Sequence, residues 1–124
     1  MAKILLIEDN PANIALVVFL LESVGHVVLR AMDAETGLSK ARHEQPDLIL
    51  MDVQLPRMDG LAATAVLKGA EITHRIPVIA LTSLAMKGDE ERIRAAGCDG
   101  YISKPLRYQE FLKVIASQLA ACVE

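Results

Sequence analysis

The sequence predicts an α/β fold in which a parallel sheet is covered by helices on both faces. Strand-like apolar runs alternate with helix-like segments in a pattern of five βα units, and such alternation is typical of this fold class. Four of the runs are short, continuous and bounded by polar residues, as parallel strands buried on both faces are. These four runs are residues 3–7, 48–51, 78–81 and 100–103. The remaining strand is predicted over residues 27–31.

Capping and stop signals place the helices between these strands. Asparagine and aspartate are favoured N-caps, proline is favoured at the first helical position, and glycine commonly follows the last turn. A proline also disfavours helix at the residue before it. These signals predict a helix from Asn10-Pro11 to about Val24 with a stop at Gly25, one from Asp33 to near Gln45 before Pro46, one from the end of loop 54–60 to about Lys68, one capped by Asp89 that runs through Ala96 to a stop at Gly97, and one over about 108–121.

The apolar runs end in residues that can bind a phosphoryl group or its metal ion. In open α/β sheets the ligand crevice lies outside the carboxyl ends of the strands. Three carboxylates, a hydroxyl and an ammonium are therefore expected to meet at one edge of the sheet. These residues are Glu8 and Asp9 after the first run, Asp52 after the second, Thr82 (followed by Ser83) after the third, and Lys104 (followed by Pro105) after the fourth.

Three neighbouring carboxylates indicate a cation site. Two like charges about 4 Å apart repel by about 4 kcal/mol at an effective dielectric near 20. Glu8, Asp9 and Asp52 would raise one another's pKa unless a cation lies among them. Mg²⁺ suits the set, because it prefers oxygen ligands and is often shared between one or two carboxylates and a substrate phosphate.

Composition narrows the functional classes. A chain of 124 residues fits one domain. A net charge of −3 without a basic block argues against nucleic acid as a direct partner. No apolar stretch reaches the roughly 18 residues of a membrane span, and a signal peptide is not recognisable, so a cytoplasmic protein without membrane insertion is expected. Cys98 and Cys122 lack metal-ligand spacing and are expected to be reduced structural residues.

The polar residues after the strands resemble the signature of the receiver domain of two-component response regulators. The resemblance rests on Glu8-Asp9, Asp52 with Pro56 and Gly60 downstream, Thr82-Ser83 and Lys104-Pro105, and it covers the whole chain. It implies a flavodoxin-like (βα)5 fold with strand order 2-1-3-4-5. Residues 1–124 are expected to form the receiver domain without an output domain, which makes the chain a signalling protein rather than an enzyme.

The resemblance also implies a role for each site residue. Asp52 would accept a phosphoryl group from a phosphohistidine of a sensor histidine kinase or a histidine phosphotransfer protein. Mg²⁺, with Mn²⁺ as a substitute, would be held by Asp9, by Glu8 directly or through water, by Asp52 and by the Gln54 carbonyl. Lys104, preceding a cis proline, would pair with the phosphoryl oxygens, and further bonds would come from the Thr82 hydroxyl and from the backbone N–H groups of Val53 and Ser83.

Thr82 and Tyr101 occupy the positions that move on phosphorylation in this family. Output is expected to be binding to a downstream protein. On a helical wheel of the first helix, Val17, Leu21 and Val24 share one face with Ile14 and Leu20 beside it, whereas Phe19 lies opposite. Ala15, Val18 and Phe19 are therefore expected to form a partner surface, with Leu84 and Met86 as a second candidate. Leu84, which with Gln54 borders the path of the hydrolytic water in this family, is expected to slow loss of the phosphoryl group.

Three other readings stay open. An aspartyl-phosphate phosphatase or mutase would need a second acid two residues after the nucleophile, where this chain has Gln54. A flavin- or nucleotide-binding domain would need a phosphate loop after the first strand, where Glu8-Asp9 would repel phosphate. A receiver of a hybrid-kinase phosphorelay is the nearest rival. Residues 84–105 resemble the single-domain regulators of bacterial cell division and polarity, and they are also close to hybrid-kinase receivers.

Overall fold

Five parallel strands form one sheet in the computed structural model, which describes residues 2–55, 57–83, 87–104 and 106–121. The spatial order of the strands is β2-β1-β3-β4-β5, as expected from the sequence. Their bounds are β1 Lys3–Ile7, β2 Val27–Ala31, β3 Leu48–Asp52, β4 Val78–Thr82 and β5 Gly100–Ser103. The central strands β1, β3 and β4 are buried on both faces, which explains why their sequences are continuously apolar.

Helices cover both faces of the sheet. Their bounds are α1 Pro11–Ser23, α2 Ala34–Glu44, α3 Gly60–Gly69, α4 Lys87–Ala95 and α5 Tyr108–Ala121. One core cluster packs α1 and α5 against the sheet, and the second packs α2, α3 and α4 against the opposite face. Among the described helices, none combines the length and the apolar character needed to cross a bilayer.

Two of the predicted helix starts and both of the first two helix ends are confirmed. The Asn10 side chain accepts hydrogen bonds from the N–H groups of the first turn of α1, and Asp33 accepts one from Thr36 at 2.7 Å. After α1, Gly25 has a φ of +90°, a left-handed conformation that glycine adopts without a Cβ penalty. After α2, Gln45 takes the left-handed position with a φ of 47°.

The structure corrects two details of the helices. Helix α4 begins at Lys87, so Asp89 lies inside its first turn instead of capping it. There its carboxylate accepts a hydrogen bond from Arg92 at 3.2 Å. Its negative charge also lies near the helix N-terminus, where it interacts favourably with the helix dipole. Val24 is not a core residue: it follows the last residue of α1 and is 51% exposed, because the chain already turns away from the sheet there.

Candidate functional site

The three predicted carboxylates converge at the carboxyl edge of the sheet. Each of Glu8, Asp9 and Asp52 offers one carboxylate oxygen to a group whose members all lie within 4.8 Å of one another. Glu8 is fully buried, Asp52 is 3% exposed, and Asp9 is exposed. Burial raises the pKa of Glu8 above its usual value, and the neighbouring Asp52 carboxyl adds to this rise. Ionising all three carboxylates therefore has an electrostatic cost, which a bound cation would relieve.

The Lys104 ammonium contacts two of these carboxylates. Its Nζ lies 3.4 Å from Glu8 Oε2 and 3.4 Å from Asp52 Oδ1. The Lys104 N–H donates to the Thr82 carbonyl at 2.7 Å, which extends the pairing of β4 and β5 beyond the last strand residue and fixes where the side chain starts. Three carboxylates against one ammonium leave an excess of negative charge with only oxygen donors, a set that fits Mg²⁺.

A backbone amide that was not among the predicted donors faces Asp52. The N–H of Gln54 donates to Asp52 Oδ1 at 3.0 Å. The N–H of Val53, expected to hold a phosphoryl oxygen, donates instead to the Leu81 carbonyl at 3.1 Å because it continues the parallel ladder between β3 and β4. The backbone N–H that contacts the carboxylate of the predicted phosphoacceptor is thus that of Gln54. This contact depends on the turn that follows β3 and could not be predicted from residue type.

Gly60 allows α3 to begin directly against the backbone of Asp52. A Cβ at this position would lie 2.1 Å from the Asp52 carbonyl oxygen and 2.9 Å from Val53 Cα. The Gly60 N–H donates to the Val53 carbonyl at 3.0 Å, and the Asp59 carboxylate caps the helix by accepting from Ala62 at 2.8 Å. The start of α3 therefore holds the end of β3 in place.

Thr82 and Tyr101 lie on neighbouring strands close to this site. Thr82 is the last residue of β4, is 1% exposed and pairs in register with Ser103, and the exposed Ser83 follows it. Tyr101 is half-buried on β5 and packs against the cluster beneath α4. A hydrogen bond to the Glu90 carboxylate raises the pKa of Tyr101, and the Arg94 guanidinium lies 5.9 Å from its ring centroid. The Tyr101 side chain is thus connected to α4.

Helix α1 exposes an apolar stripe at the site's flank, defined here as Ala12, Ala15, Leu16 and Phe19. All four are exposed, Leu16 at 40% and Phe19 at 69%. Ala12 and Leu16 had not been predicted. Leu16 lies three residues before Phe19 and four residues after Ala12, and this spacing places all three on one helix face. Val18 does not belong to the stripe: it is half-buried against the cluster that includes α5, which lies on that side of the helix.

Several predictions concern residues outside the part of the chain that the structure describes. They are the partner role of Leu84 and Met86, the effect of Leu84 on phosphoryl loss, the cis bond at Pro105, the signature residue Pro56, and the structural role of Cys122. The other cysteine, Cys98, is free and buried.

Comparison with known proteins identifies the family. Residues 4–116 match the response regulator receiver domain. The polar-differentiation response regulator DivK of Brucella ovis is 47% identical over 117 residues, which cover 94% of this chain and 95% of that protein. DivK of Brucella anthropi shows the same identity and coverage. The resemblance to regulators of polarity and cell division is thereby confirmed.

Solved structures agree with this assignment. The receiver domain of the sensor histidine kinase PA1611 from Pseudomonas aeruginosa, crystallised with a magnesium ion in its active-site cleft, is 35% identical with a TM-score of 0.89 and covers 96% of this chain and 98% of that one. The chemotaxis protein CheY4 of Vibrio cholerae is 26% identical with a TM-score of 0.89, covering 94% and 98%. The chain belongs to the receiver-domain family of response regulators.

Proposed function

We propose that this response regulator accepts a phosphoryl group on Asp52 from a phosphohistidine and signals through phosphorylation-dependent protein binding. The observation that carries the proposal is the contact set of Asp52: a buried carboxylate with an ammonium 3.4 Å away and two further carboxylates beside it. A surface aspartate would not need such surroundings.

The chemistry follows from these contacts. An oxygen of the Asp52 carboxylate attacks phosphorus, an O–P bond forms, and the N–P bond of the phosphohistidine breaks. The imidazole keeps the electron pair and leaves as a neutral group once it is protonated. Phosphoryl transfer is catalysed chiefly by positioning and by stabilisation of charge on the phosphoryl oxygens. Lys104 supplies a positive charge for this, and the N–H groups of Gln54 and Ser83 are candidate donors.

Glu8, Asp9 and Asp52, with the Gln54 carbonyl, are the residues that would hold Mg²⁺. When bound, the ion would neutralise charge on the transferring group. The oxygen-only donor set and its excess of negative charge support Mg²⁺, with Mn²⁺ as a substitute. The magnesium-containing PA1611 receiver supports the same ion.

The first test is incubation with acetyl phosphate and Mg²⁺, followed by intact mass. The wild type is expected to gain one phosphoryl group of about 80 Da, and the gain should require Mg²⁺. Asp52→Asn should show no gain. Asp47→Asn is the matched control, because Asp47 is exposed and its carboxylate bonds the Lys3 N–H far from the site. Equal phosphorylation of Asp52→Asn and Asp47→Asn would refute the assignment.

The apolar stripe on α1 is the proposed docking surface for the phosphodonor. Glu22 is the sole charged residue of α1, so the helix is apolar on nearly all sides. Helices of this composition are ordinarily buried, yet the stripe faces solvent. It lies on the helix that follows Glu8 and Asp9 directly in the chain. A helical partner docked there would bring its phosphohistidine towards Asp52.

Phe19→Ala tests this surface. We expect slower transfer from a phosphorylated kinase or phosphotransfer protein and an unchanged rate with acetyl phosphate, because the small donor needs no docking. Ile72→Ala is the control, because Ile72 is 56% exposed and lies in the turn before β4, at the amino ends of the strands and away from the acidic site. A Phe19→Ala protein that accepts phosphoryl groups from the protein donor as fast as Ile72→Ala does would exclude the stripe.

The similarity to DivK supports a cytoplasmic regulator of the cell cycle or of cell polarity. A second role is favoured by one observation: the PA1611 receiver, at 35% identity, belongs to a sensor histidine kinase. The chain would then act in a hybrid-kinase phosphorelay and pass its phosphoryl group to a phosphotransfer protein. Transfer from phosphorylated protein to a phosphotransfer histidine, measured in both directions, distinguishes a relay from a terminal regulator.

A further inference from the structure

Asn13 donates a short side-chain hydrogen bond to Glu8, the most buried member of the acidic cluster. Its Nδ2 donates to Glu8 Oε1 at 2.8 Å, whereas the Lys104 Nζ lies 3.5 Å from the same oxygen and 3.4 Å from Oε2. Asn13 lies in the first turn of α1, where its N–H donates to the capping Asn10 side chain at 3.2 Å. The helix start thus fixes the backbone from which the Asn13 amide reaches the site.

A neutral donor at this point has a specific physical effect. A fully buried carboxylate needs hydrogen-bond partners, and a missing partner is costly. The amide stabilises the charged form of Glu8 without adding a positive charge that would compete with a cation. Without it, Glu8 would depend on Lys104, which also contacts Asp52 at 3.4 Å. The ammonium would then be drawn towards Glu8 and away from the phosphoacceptor.

We propose that Asn13 is a positioning residue that orients Glu8 for the divalent cation and keeps Lys104 shared between Glu8 and Asp52. The proposal rests on the proposed function, because it assigns Glu8 to the cation. Partners of metal ligands that fix ligand orientation typically change metal affinity by about 10- to 100-fold when they are removed. A loss of this size is expected for Asn13→Ala.

The test is a double-mutant cycle on Mg²⁺ affinity, measured without a phosphodonor. Wild type, Asn13→Ala, Glu8→Gln and the double variant are titrated with MgCl₂ and followed by amide NMR shifts, with the titration extended far enough to define weak binding. Asn13→Ala should weaken binding by about 10-fold or more in the wild-type background and by less than about 2-fold in the Glu8→Gln background. The melting temperature without Mg²⁺ should fall by a few degrees in the wild-type background, because the buried Glu8 carboxylate loses a hydrogen-bond partner and the higher helix propensity of alanine offsets only part of that loss.

Two results would overturn the proposal. One is a wild-type Mg²⁺ affinity in Asn13→Ala. The other is an equal loss of affinity in both backgrounds, which would mean that Asn13 acts through the general stability of α1 and not through Glu8. Phosphorylation of the wild type at Asp52 is a separate measurement, so failure of the proposed function and failure of the Asn13 proposal are distinguishable.

Discussion

Gly60 lies where the first residue of α3 meets the backbone of the proposed phosphoacceptor, and Gly60→Ala tests that contact. The new Cβ would lie 2.1 Å from the Asp52 carbonyl oxygen, a separation far below the 3.0 Å that real Cβ atoms keep. Both sides of the contact are backbone, so no side chain can rotate to relieve it. The end of β3 and the start of α3 must separate by about 1 Å, judged from these distances.

The expected cost follows from this displacement. Overpacking of a well-packed site costs about 1–3 kcal/mol. The alanine offsets about 0.4–1 kcal/mol of this by restricting the unfolded chain. We expect a net loss of about 1.3 kcal/mol, which corresponds to a fall of about 5 °C in melting temperature for a domain of this size. A misplacement of about 1 Å at a reacting group can cost about 100-fold in rate, so phosphorylation of Asp52 should slow by about that factor.

Gly69→Ala is the matched control, at the other end of the same helix. A Cβ at Gly69 would meet nothing within 4 Å, and Gly69 does not have a positive φ, so the substitution should stabilise the protein by roughly 0.4–1 kcal/mol by restricting the unfolded chain and leave phosphorylation unchanged. Thermal unfolding and the rate of mass gain with acetyl phosphate are measured on both variants. If Gly60→Ala melts and reacts like Gly69→Ala, the close approach of α3 to Asp52 is wrong.

Three further predictions concern pH, an ion pair and the switch. Burial lowers the pKa of His26 below its usual 6.5, and the neutral His26 Nδ1 accepts the Ala2 N–H. As the pH falls, the unfolded chain is therefore protonated at His26 before the folded protein is. The contribution of neutral His26 to stability is present above about pH 6.5 and is lost as the pH falls through the lower pKa of the folded protein. Urea unfolding at about pH 7.5 and 5.5 should show a larger acid-induced loss for the wild type than for His26→Asn, whose amide oxygen can keep the bond, and equal losses would contradict this assignment. Lys68→Met should lower the free energy of unfolding by roughly 1–2 kcal/mol in urea, because the ammonium bonds Asp99 at 2.8 Å in a partly exposed pair and also the Ile76 carbonyl at 2.9 Å; no change would mean that solvent replaces these bonds. Thr82→Ala should still be phosphorylated on Asp52 but lose the phosphorylation-dependent gain in partner affinity, measured by binding titrations with and without acetyl phosphate; an unchanged gain would exclude Thr82 as the switch.

Much of the fold could be predicted because its signals are local. Continuous apolar runs identified the strands, and Asn10, Asp33 and Gly25 marked helix boundaries through their own backbone and side-chain preferences. Asp89 shows the limit of such signals. An aspartate near a helix start fits an N-cap and a first-turn position equally well, and in the structure Asp89 lies in the first turn. Val24 was misplaced for a similar reason, since a helical wheel does not show where the helix ends.

From the sequence, the acidic site could be predicted only as a set of residues that lie close together, without the contacts between their atoms. Parallel strands have their carboxyl ends at one edge, so Glu8, Asp9, Asp52 and Lys104 were expected together before any distance was known. The helical wheel identified Phe19 as exposed but missed Leu16. Leu16 lies near the boundary between the buried and exposed faces, where a small error in angle decides whether a residue is predicted as buried or exposed. It also misjudged Val18, whose burial depends on the neighbouring α5.

The sequence by itself determined the chemistry available to this protein: which carboxylates, hydroxyl and ammonium follow the strands, and that the strands run parallel. The tertiary structure alone decided which atoms pair. The N–H of Val53 bonds within the sheet and that of Gln54 faces Asp52, Asn13 reaches back from α1 to the buried Glu8, and Gly60 seats α3 against the Asp52 carbonyl. The physical reason is that these contacts depend on the path of the turns and on the packing of helices against the sheet, and neither is encoded in residue type or spacing alone.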